Sequence, residues 1–437
     1  MTKSTFSELG LADPIQRALT SRNHVIPTPI QARAIPQLLT GRDMLGIAQT
    51  GTGKTAAFAL PILHQLSQNK RKDDHGRKGP KSPRALILAP TRELAIQIGE
   101  EFQAYSKHLK LYQTVIFGGV SQKPQVSALA RGVDILIATP GRLLDLMNQR
   151  RLVLDGVEFL VLDEADRMLD MGFVRDVRKI LATVPKKRQS LLFSATMPGE
   201  IARLSGEILT DPVRVEVTPQ ATPIERIKQS VHHVSTAEKR NLLADILADP
   251  SYGRVMVFTR TKHRANRVAD HLGKCGIEAD AIHGNKSQGA RQRALKRFKA
   301  GEARVLVATD IAARGIDVDS VTHVINFELP NEPESYVHRI GRTARAGAGG
   351  AAISFCSPDE RAYLRDIEKL IQCRLAVIGD EPTGAVPKAA PVGRRRPNNS
   401  NKSKKIHAGP APKRNRPKRN RRQRRQGTGG AAAAAAA

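Results

Sequence analysis

The sequence predicts an α/β fold of two tandem parallel-sheet domains followed by a basic tail with no order of its own. Three observations carry this. Short apolar runs alternate with helix-like stretches in two successive series, the pattern of βα units around a sheet buried on both faces. The 437 residues exceed one ordinary core and fit two domains of about 150–200 residues each. From Thr383 onward there are sixteen Lys or Arg and no Asp or Glu, more than half of a net charge of +30.

The first series of strands is expected at 44–48, 85–89, 114–117, 134–138, 158–162 and 190–193. A basic stretch with Gly and Pro at 70–84 separates the first helix of this series from the next strand and reads as a surface loop. Turn and proline signals in Thr210-Asp211-Pro212 and again over 218–223 mark a linker, which places the joint near residue 218. The second series is expected at 255–258, 279–283, 305–309, 323–327 and 352–355. The predicted domains are therefore 1–217 and 218–376, with a tail at 377–437. Beyond Asp380 aliphatic residues nearly vanish, leaving too little to bury against the entropy of ordering. The alanine run 431–437 carries no chemistry. No repeat of solenoid period is present, so the duplication is one of whole domains.

The charge calls for a polyanionic partner. Nucleic acid ranks ahead of an acidic membrane surface because no basic amphipathic helix or apolar anchor accompanies the charge. Cys275, Cys356 and Cys373 show no CxxC spacing and suggest neither a disulfide framework nor a zinc knuckle. The first ten residues are polar, and no apolar run approaches the roughly 18 residues of a membrane span. A soluble, cytoplasmic protein is expected.

Ala48-Gln49-Thr50-Gly51-Thr52-Gly53-Lys54-Thr55 follows the first strand and opens a helix. Gly51 and Gly53 let the backbone approach phosphate oxygens, and the amides of the helix N-terminus point at the anion. Lys54 would reach the β and γ phosphates, and the Thr55 hydroxyl would ligate magnesium. The leading glycine usual in this loop is replaced by Ala48. Downstream, Asp163-Glu164-Ala165-Asp166 ends the apolar run 159–162. Adjacent carboxylates there divide naturally: Asp163 holds magnesium largely through its water shell, and Glu164 orients and deprotonates the attacking water. Asp166 has the plainer alternative of capping a helix. Ser194-Ala195-Thr196 ends the neighbouring strand and is a candidate relay between hydrolysis and movement.

The ordered set of motifs resembles DEAD-box RNA helicases, from Phe6 to about residue 375. In the first half these are Pro27-Thr28-Pro29-Ile30-Gln31, the phosphate loop, Pro90-Thr91-Arg92-Glu93-Leu94, Gly118-Gly119, Thr139-Pro140-Gly141-Arg142, the acidic tetrapeptide and Ser194-Ala195-Thr196. In the second they are Val257-Phe258-Thr259-Arg260, Gln288 with Arg291, the stretch 308–317, and His338-Arg339-Ile340-Gly341-Arg342-Thr343-Ala344-Arg345. Details over 259–263 and 282–291 resemble the bacterial RhlE-type subgroup.

The resemblance implies two RecA-like domains, ATP as substrate with Mg2+, and RNA as partner. It implies that Gln31 reads the adenine edge and Phe6 stacks on the base, within an adenine-recognition region at 6–32. Asn23 and His24 stand where the family commonly has glycine and an aromatic. Asp317 would touch the ribose, and Arg339 and Arg342 would act as arginine fingers on the γ-phosphate. Asp166, Ser194, Thr196 and His338 are expected to couple hydrolysis to movement. Arg92, Gly119, Thr139, Gly141 and Arg142, with Arg260, Gln288 and Thr309, match family positions that grip RNA along its backbone.

Composition agrees with backbone reading: with no Trp and 4% aromatics, recognition by base stacking is a poor fit. Binding should be sequence-tolerant and salt-sensitive. Local unwinding through closure of two domains is the expected function. An ATP-gated RNA clamp is the alternative, and a DNA helicase is disfavoured by the Gln31 motif. Candidate partners beyond RNA itself are ribosomal precursors or the RNA-decay machinery, and no oligomer is implied.

Overall fold

The apolar runs Ala85–Leu88, Ile135–Ala138 and Phe159–Leu162 form β2, β4 and β5, each buried at all four positions, as strands covered on both faces must be. The computed structural model describes residues 5–49, 51–69, 81–217, 227–313, 318, 321–344 and 349–379. Residues through Pro382 form one compact unit. The linker centre at 218, most of the 70–84 loop and the tail beyond 379 lie outside the described residues.

The first sheet holds β1 (Met44–Ile47), β2 (Ala85–Leu88), β3 (Gln113–Ile116), β4 (Ile135–Ala138), β5 (Phe159–Leu162), β6 (Gln189–Ser194) and β7 (Val213–Glu216). The second holds β8 (Ile227–His233), β9 (Val255–Thr259), β10 (Ala279–Ile282), β11 (Val305–Thr309), β12 (His323–Asn326), β13 (Gly350–Cys356) and β14 (Ala376–Val377). Every pairing in both is parallel.

The spatial orders are β3-β4-β2-β5-β6-β1-β7 and β10-β11-β9-β12-β13-β8-β14. Adding seven to each strand of the first order reproduces the second, so the duplication expected of whole domains extends to strand order. Eleven of the expected strands are present within a residue or two. The edge strand β7, the polar β8 and the two-residue β14 were not anticipated.

Period-two alternation divides the interior strands of the first sheet between two apolar clusters. Phe159 and Val161 join the cluster that contains Ile87, Ile137 and Phe193, whereas Leu160 and Leu162 join the one with Leu86, Leu136 and Leu192. Burying each such side chain contributes about 1.5–3 kcal/mol, which fixes the register of the sheet and thus where every strand ends.

Those ends matter because nearly all the motifs follow them. The phosphate loop follows β1, Thr91-Arg92 follows β2, Gly118-Gly119 follows β3, Thr139 follows β4, Asp163 follows β5, and Ser194 closes β6. In the second sheet Arg260 follows β9 and Thr309 ends β11. Ligand sites of open parallel sheets lie at these carboxyl ends.

Candidate active site

Gly53 begins the helix Lys54–Gln68 with φ of 90°, a left-handed turn that a side chain would strain. A Cβ on Gly53 would lie 2.3 Å from Gln31 Nε2, so the loop and the Gln31 helix touch through the glycine. Gln31 Nε2 donates to the Gly53 carbonyl at 3.1 Å, while its Oε1 accepts from the Thr28 amide at 2.8 Å. Lys54 is buried and donates through Nζ to the Ala48 carbonyl at 2.7 Å. Thr52 Oγ1 donates to the Gln49 carbonyl at 2.8 Å. Thr50 lies outside the described residues.

Asp163 and Glu164 are 2% and 3% exposed. Burial pushes the Asp163 carboxyl up, to about 6; nearby Lys54 opposes this, and the neighbouring carboxylate of Glu164 adds to it. Glu164 adopts φ of 53°, a left-handed conformation unusual for a residue with a side chain and of the kind concentrated at functional turns. Its Oε2 accepts from Arg167 Nη1 at 2.8 Å, which keeps the buried carboxylate paired. Thr55 and Asp163 line the same cleft; a hydroxyl and a carboxylate are hard oxygen donors that suit magnesium.

Asp166 does more than cap its helix. Its Oδ2 accepts from the amides of Ala195 and Thr196 at 3.1 and 2.9 Å and from the Thr196 hydroxyl at 3.1 Å. Ser194 Oγ accepts in return from the Asp166 amide at 3.2 Å. The ends of β5 and β6 are thereby tied together beside the acidic pair.

A cleft of about 450 Å³ is lined by Gln31, Gly51, Gly53, Lys54, Thr55, Asp163 and Glu164 from the first sheet's loops and by Lys299 and Arg342 from the second's. That volume accommodates a small-molecule ligand. His24 also lines it, together with residues given no role in the sequence, among them Arg22, Glu101 and Tyr105. Arg22 pairs with Glu101 at 2.8 Å and lies over the Tyr105 ring at 5.1 Å, and His24 packs on the same ring at 6.2 Å. Asn23, where the family has glycine, takes φ of 56°, which asparagine tolerates better than most residues. Phe6 does not line the cleft; it is 5% exposed within the first sheet's core.

The two candidate fingers part company. Arg342 is buried, faces the cleft, and donates through Nε to the His338 carbonyl at 3.3 Å. Arg339 is 1% exposed and committed elsewhere: Nε and Nη2 fork onto Asp310 at 2.6 and 2.8 Å, and Nη1 donates to the Glu328 carbonyl and Asn326 Oδ1 at 2.6 and 3.2 Å. In this structure the Arg339 side chain, expected as a finger, is buried in the core and holds the second domain's loops. Arg167, beside Glu164 on the acidic turn, shares a small cavity with His338, Arg339 and Arg342. Asp317 and Arg345 lie outside the described residues.

A second group lies along the same sheet edges. Arg92 and Gln288 each begin a helix whose preceding residue caps it, Thr91 accepting from Leu94 and Ser287 from Ala290. Arg92 stands over Gly119, where a Cβ would lie 2.2 Å from Nη1, and Gly119 takes φ of 76°. Arg142 donates to Gln125 Oε1 at 3.1 Å and to the Val120 carbonyl at 3.2 Å. Thr139 is buried at the helix start, and Gly141 has open space where a Cβ would project.

Burial holds the Arg92 guanidinium below its usual range; Arg291 and Arg142 add to this and Glu93 opposes them. An anion placed there would relieve the repulsion. The two domains meet at this group. Gln288 donates to Glu93 Oε1 at 3.0 Å, Arg291 pairs with Glu93 at 3.1 Å, and Arg92 reaches Gln288 Oε1 at 3.5 Å. Thr309 is buried at the end of β11. Arg260 Nη2 donates to Glu360 Oε1 at 2.8 Å.

Comparison with known proteins places these features in context. Residues 28–204 match the DEAD/DEAH box helicase family and residues 238–347 the helicase conserved C-terminal domain. The chain is 43% identical over 380 residues to the DEAD-box ATP-dependent RNA helicase CshA of Bacillus cereus, covering 87% of this chain and 70% of that one. It is 44% identical over 375 residues to RNA helicase CrhR of Synechocystis, covering 86% and 74%. Among solved structures, Dbp5 of S. cerevisiae bound to RNA and ADP BeF3 superposes with a TM-score of 0.73 at 32% identity, over 86% of this chain and 96% of that chain. The two seven-stranded domains are RecA-like, as expected.

Proposed function

Because the chain belongs to the DEAD-box family of ATP-dependent RNA helicases, we propose that it hydrolyses ATP in the 450 Å³ cleft and separates short RNA duplexes. The observation that carries this is the composition of that cleft: Lys54, Asp163 and Glu164 come from one sheet and Arg342 from the other. Neither domain holds a complete set.

Lys54 and the loop amides would bind and orient the phosphates, and Glu164 would take a proton from the attacking water. Thr55 and Asp163 would hold Mg2+, which supplies charge neutralisation at the phosphates. Arg342 would meet charge that develops on the γ-phosphate. Gln31 supports ATP over other nucleotides by packing on the loop and offering amide donors and acceptors at once.

RNA would lie along Arg92, Gly119, Thr139, Gly141 and Arg142, continuing to Arg260, Gln288 and Thr309, with phosphates rather than bases as the contacts. Glu93 already joins these two halves, so a strand gripped by both would favour closure. Closure bends one strand out of duplex geometry, and hydrolysis reopens the cleft.

Strand-release assays on short RNA and DNA duplexes, with ATP and with a non-hydrolysable analogue, test this reading. Release of RNA strands on ATP addition supports it. Durable retention without release identifies a clamp, and equal release of DNA strands contradicts the RNA assignment.

The stretch 282–291 supports placement in the RhlE-type subgroup, although the relatives named above are CshA and CrhR. A family tree in which this chain groups with CshA-named sequences would remove that placement. Ribosomal precursors or decay intermediates are the RNAs we favour, and crosslinking followed by sequencing of bound cellular RNA decides between them. Residence in the cytoplasm is our reading of a chain with no helix, among the described residues, long and apolar enough to cross a membrane; cell fractionation checks it.

A further inference from the structure

Lys239 and Glu360 form a fully buried ion pair, 1% and 0% exposed, outside every residue given a role above. Lys239 opens the helix Lys239–Ala248, and Glu360 closes the short turn Pro358–Glu360. Nζ of Lys239 donates to Glu360 Oε2 and to the carbonyls of Phe327 and Phe355 at 3.0 and 3.1 Å, which uses all three of its hydrogens. Oε2 of Glu360 also accepts from the amide and hydroxyl of Ser357 at 3.1 and 2.9 Å. Its Oε1 accepts from Arg260 Nη2 at 2.8 Å and from the Leu329 amide at 3.3 Å.

Taking two such ions out of water costs several kcal/mol each, and an apolar pair of the same volume is often at least as stable. Stability alone therefore does not account for the pair. Direction does. Arg260 is pinned at both ends: its amide donates to Glu328 Oε2 at 2.9 Å, and its guanidinium to Glu360 and, through Nη1, to Asn331 Oδ1 at 3.3 Å. The guanidinium lies 5.6 Å from the Tyr363 ring centroid. Arg260 keeps about a quarter of its side chain exposed at the carboxyl end of β9; among the described residues, hydrogen bonds to Glu360 and Asn331 take two of its five N–H donors, and Nη2 also pairs with Glu328 Oε1 at 3.7 Å.

We infer that Lys239 and Glu360 are positioning residues, whose buried pair aims the Arg260 guanidinium at an RNA phosphate. This rests on the reading of Arg260 as an RNA contact. A carboxylate free to rotate would let the guanidinium swing. Locked by Lys239 and Ser357, it presents one fixed oxygen, and the arginine fork takes its direction from that oxygen.

RNA-stimulated ATPase across RNA concentrations tests this on the full chain. The variants are Arg260→Ala, the double Lys239→Met with Glu360→Gln, and the triple, with thermal melting as a check of folding. Removing both charges avoids stranding one of them in the core. The double variant should raise the RNA KM about tenfold, the scale of losing a charge-assisted hydrogen bond, and hold kcat at saturating RNA within about twofold. Arg260→Ala should raise the KM by a similar factor. The triple should lose no more than Arg260→Ala alone, because residues acting through one another are not additive.

An unchanged KM in the double variant, or additive losses in the triple, overturns the positioning role while leaving the Arg260 contact intact. An unchanged KM in Arg260→Ala overturns that contact and this inference with it. Should the double variant fail to fold, Ser357→Ala, which takes one lock off the Glu360 carboxylate without stranding a charge, is read by the same criteria.

Discussion

The carboxylate of Asp166 holds Thr196 twice, accepting from its amide at 2.9 Å and from its hydroxyl at 3.1 Å. This joins the turn after β5 to the end of β6, a contact through which a displacement of the acidic pair would pass to the neighbouring strand. Thr196→Val removes the hydroxyl bond and keeps the amide bonds. RNA-stimulated ATPase should stay within about threefold while strand release falls about tenfold, roughly one charge-assisted bond. Parallel loss of both activities would place Thr196 in the chemistry instead.

Glu164→Gln should abolish turnover, with a loss in kcat of at least about a hundredfold, as expected when a general base is removed. ATP-dependent RNA binding should persist and be prolonged. The bond from Arg167 to Glu164 Oε2 can be kept by an amide oxygen, so the turn retains its shape. Undiminished RNA-stimulated ATPase would remove Glu164 from water activation.

Arg339 and Arg342 separate stability from chemistry. Arg339→Ala leaves Asp310 without its forked partner and should destabilise the chain by about 3 kcal/mol, read as a lowered denaturation midpoint. Arg342→Ala should lower kcat with little change in that midpoint. The same stability loss in both variants would contradict the division.

Gly53→Ala places a methyl group 2.3 Å from Gln31 Nε2 at a φ of 90°. The combined strain, on the order of 1–3 kcal/mol, should raise the KM for ATP about tenfold or more. An unchanged KM for ATP would show that the loop does not need glycine at this position.

The strands legible in the sequence were those covered on both faces. The four residues of β5, all apolar, can satisfy only a buried sheet, and the adjacent carboxylates then mark its carboxyl end. β7 reads VRVE with two of its four residues exposed, and β8 reads IKQSVHH with only Ile227 and Val231 buried. Neither carries the run that signals an interior strand, and β8 begins directly after a proline-rich linker.

The phosphate loop, the acidic turn and Arg342 were legible because their chemistry requires particular residue types. Arg339 was not separable from Arg342 on residue type alone. Arg339 lies on the helix Pro333–Ile340 with its side chain in the core, whereas Arg342 follows the helix end at Gly341 and reaches the cleft. The Arg22, His24 and Tyr105 wall depends on two helices packing, which no local pattern records.

Deleting 381–437 removes sixteen basic residues and should weaken RNA binding and flatten its salt dependence, while most basal ATPase survives. An unchanged slope of log affinity against log salt would show that the tail does not touch RNA.

Hydrolysis should require both domains to close around ATP and RNA together. Interdomain distance by fluorescence energy transfer, recorded alongside phosphate release on one labelled sample, tests it most directly. A short distance and rapid release are expected only when ATP and RNA are both present. Equally rapid release with ATP alone, or release while the domains stay apart, would contradict it.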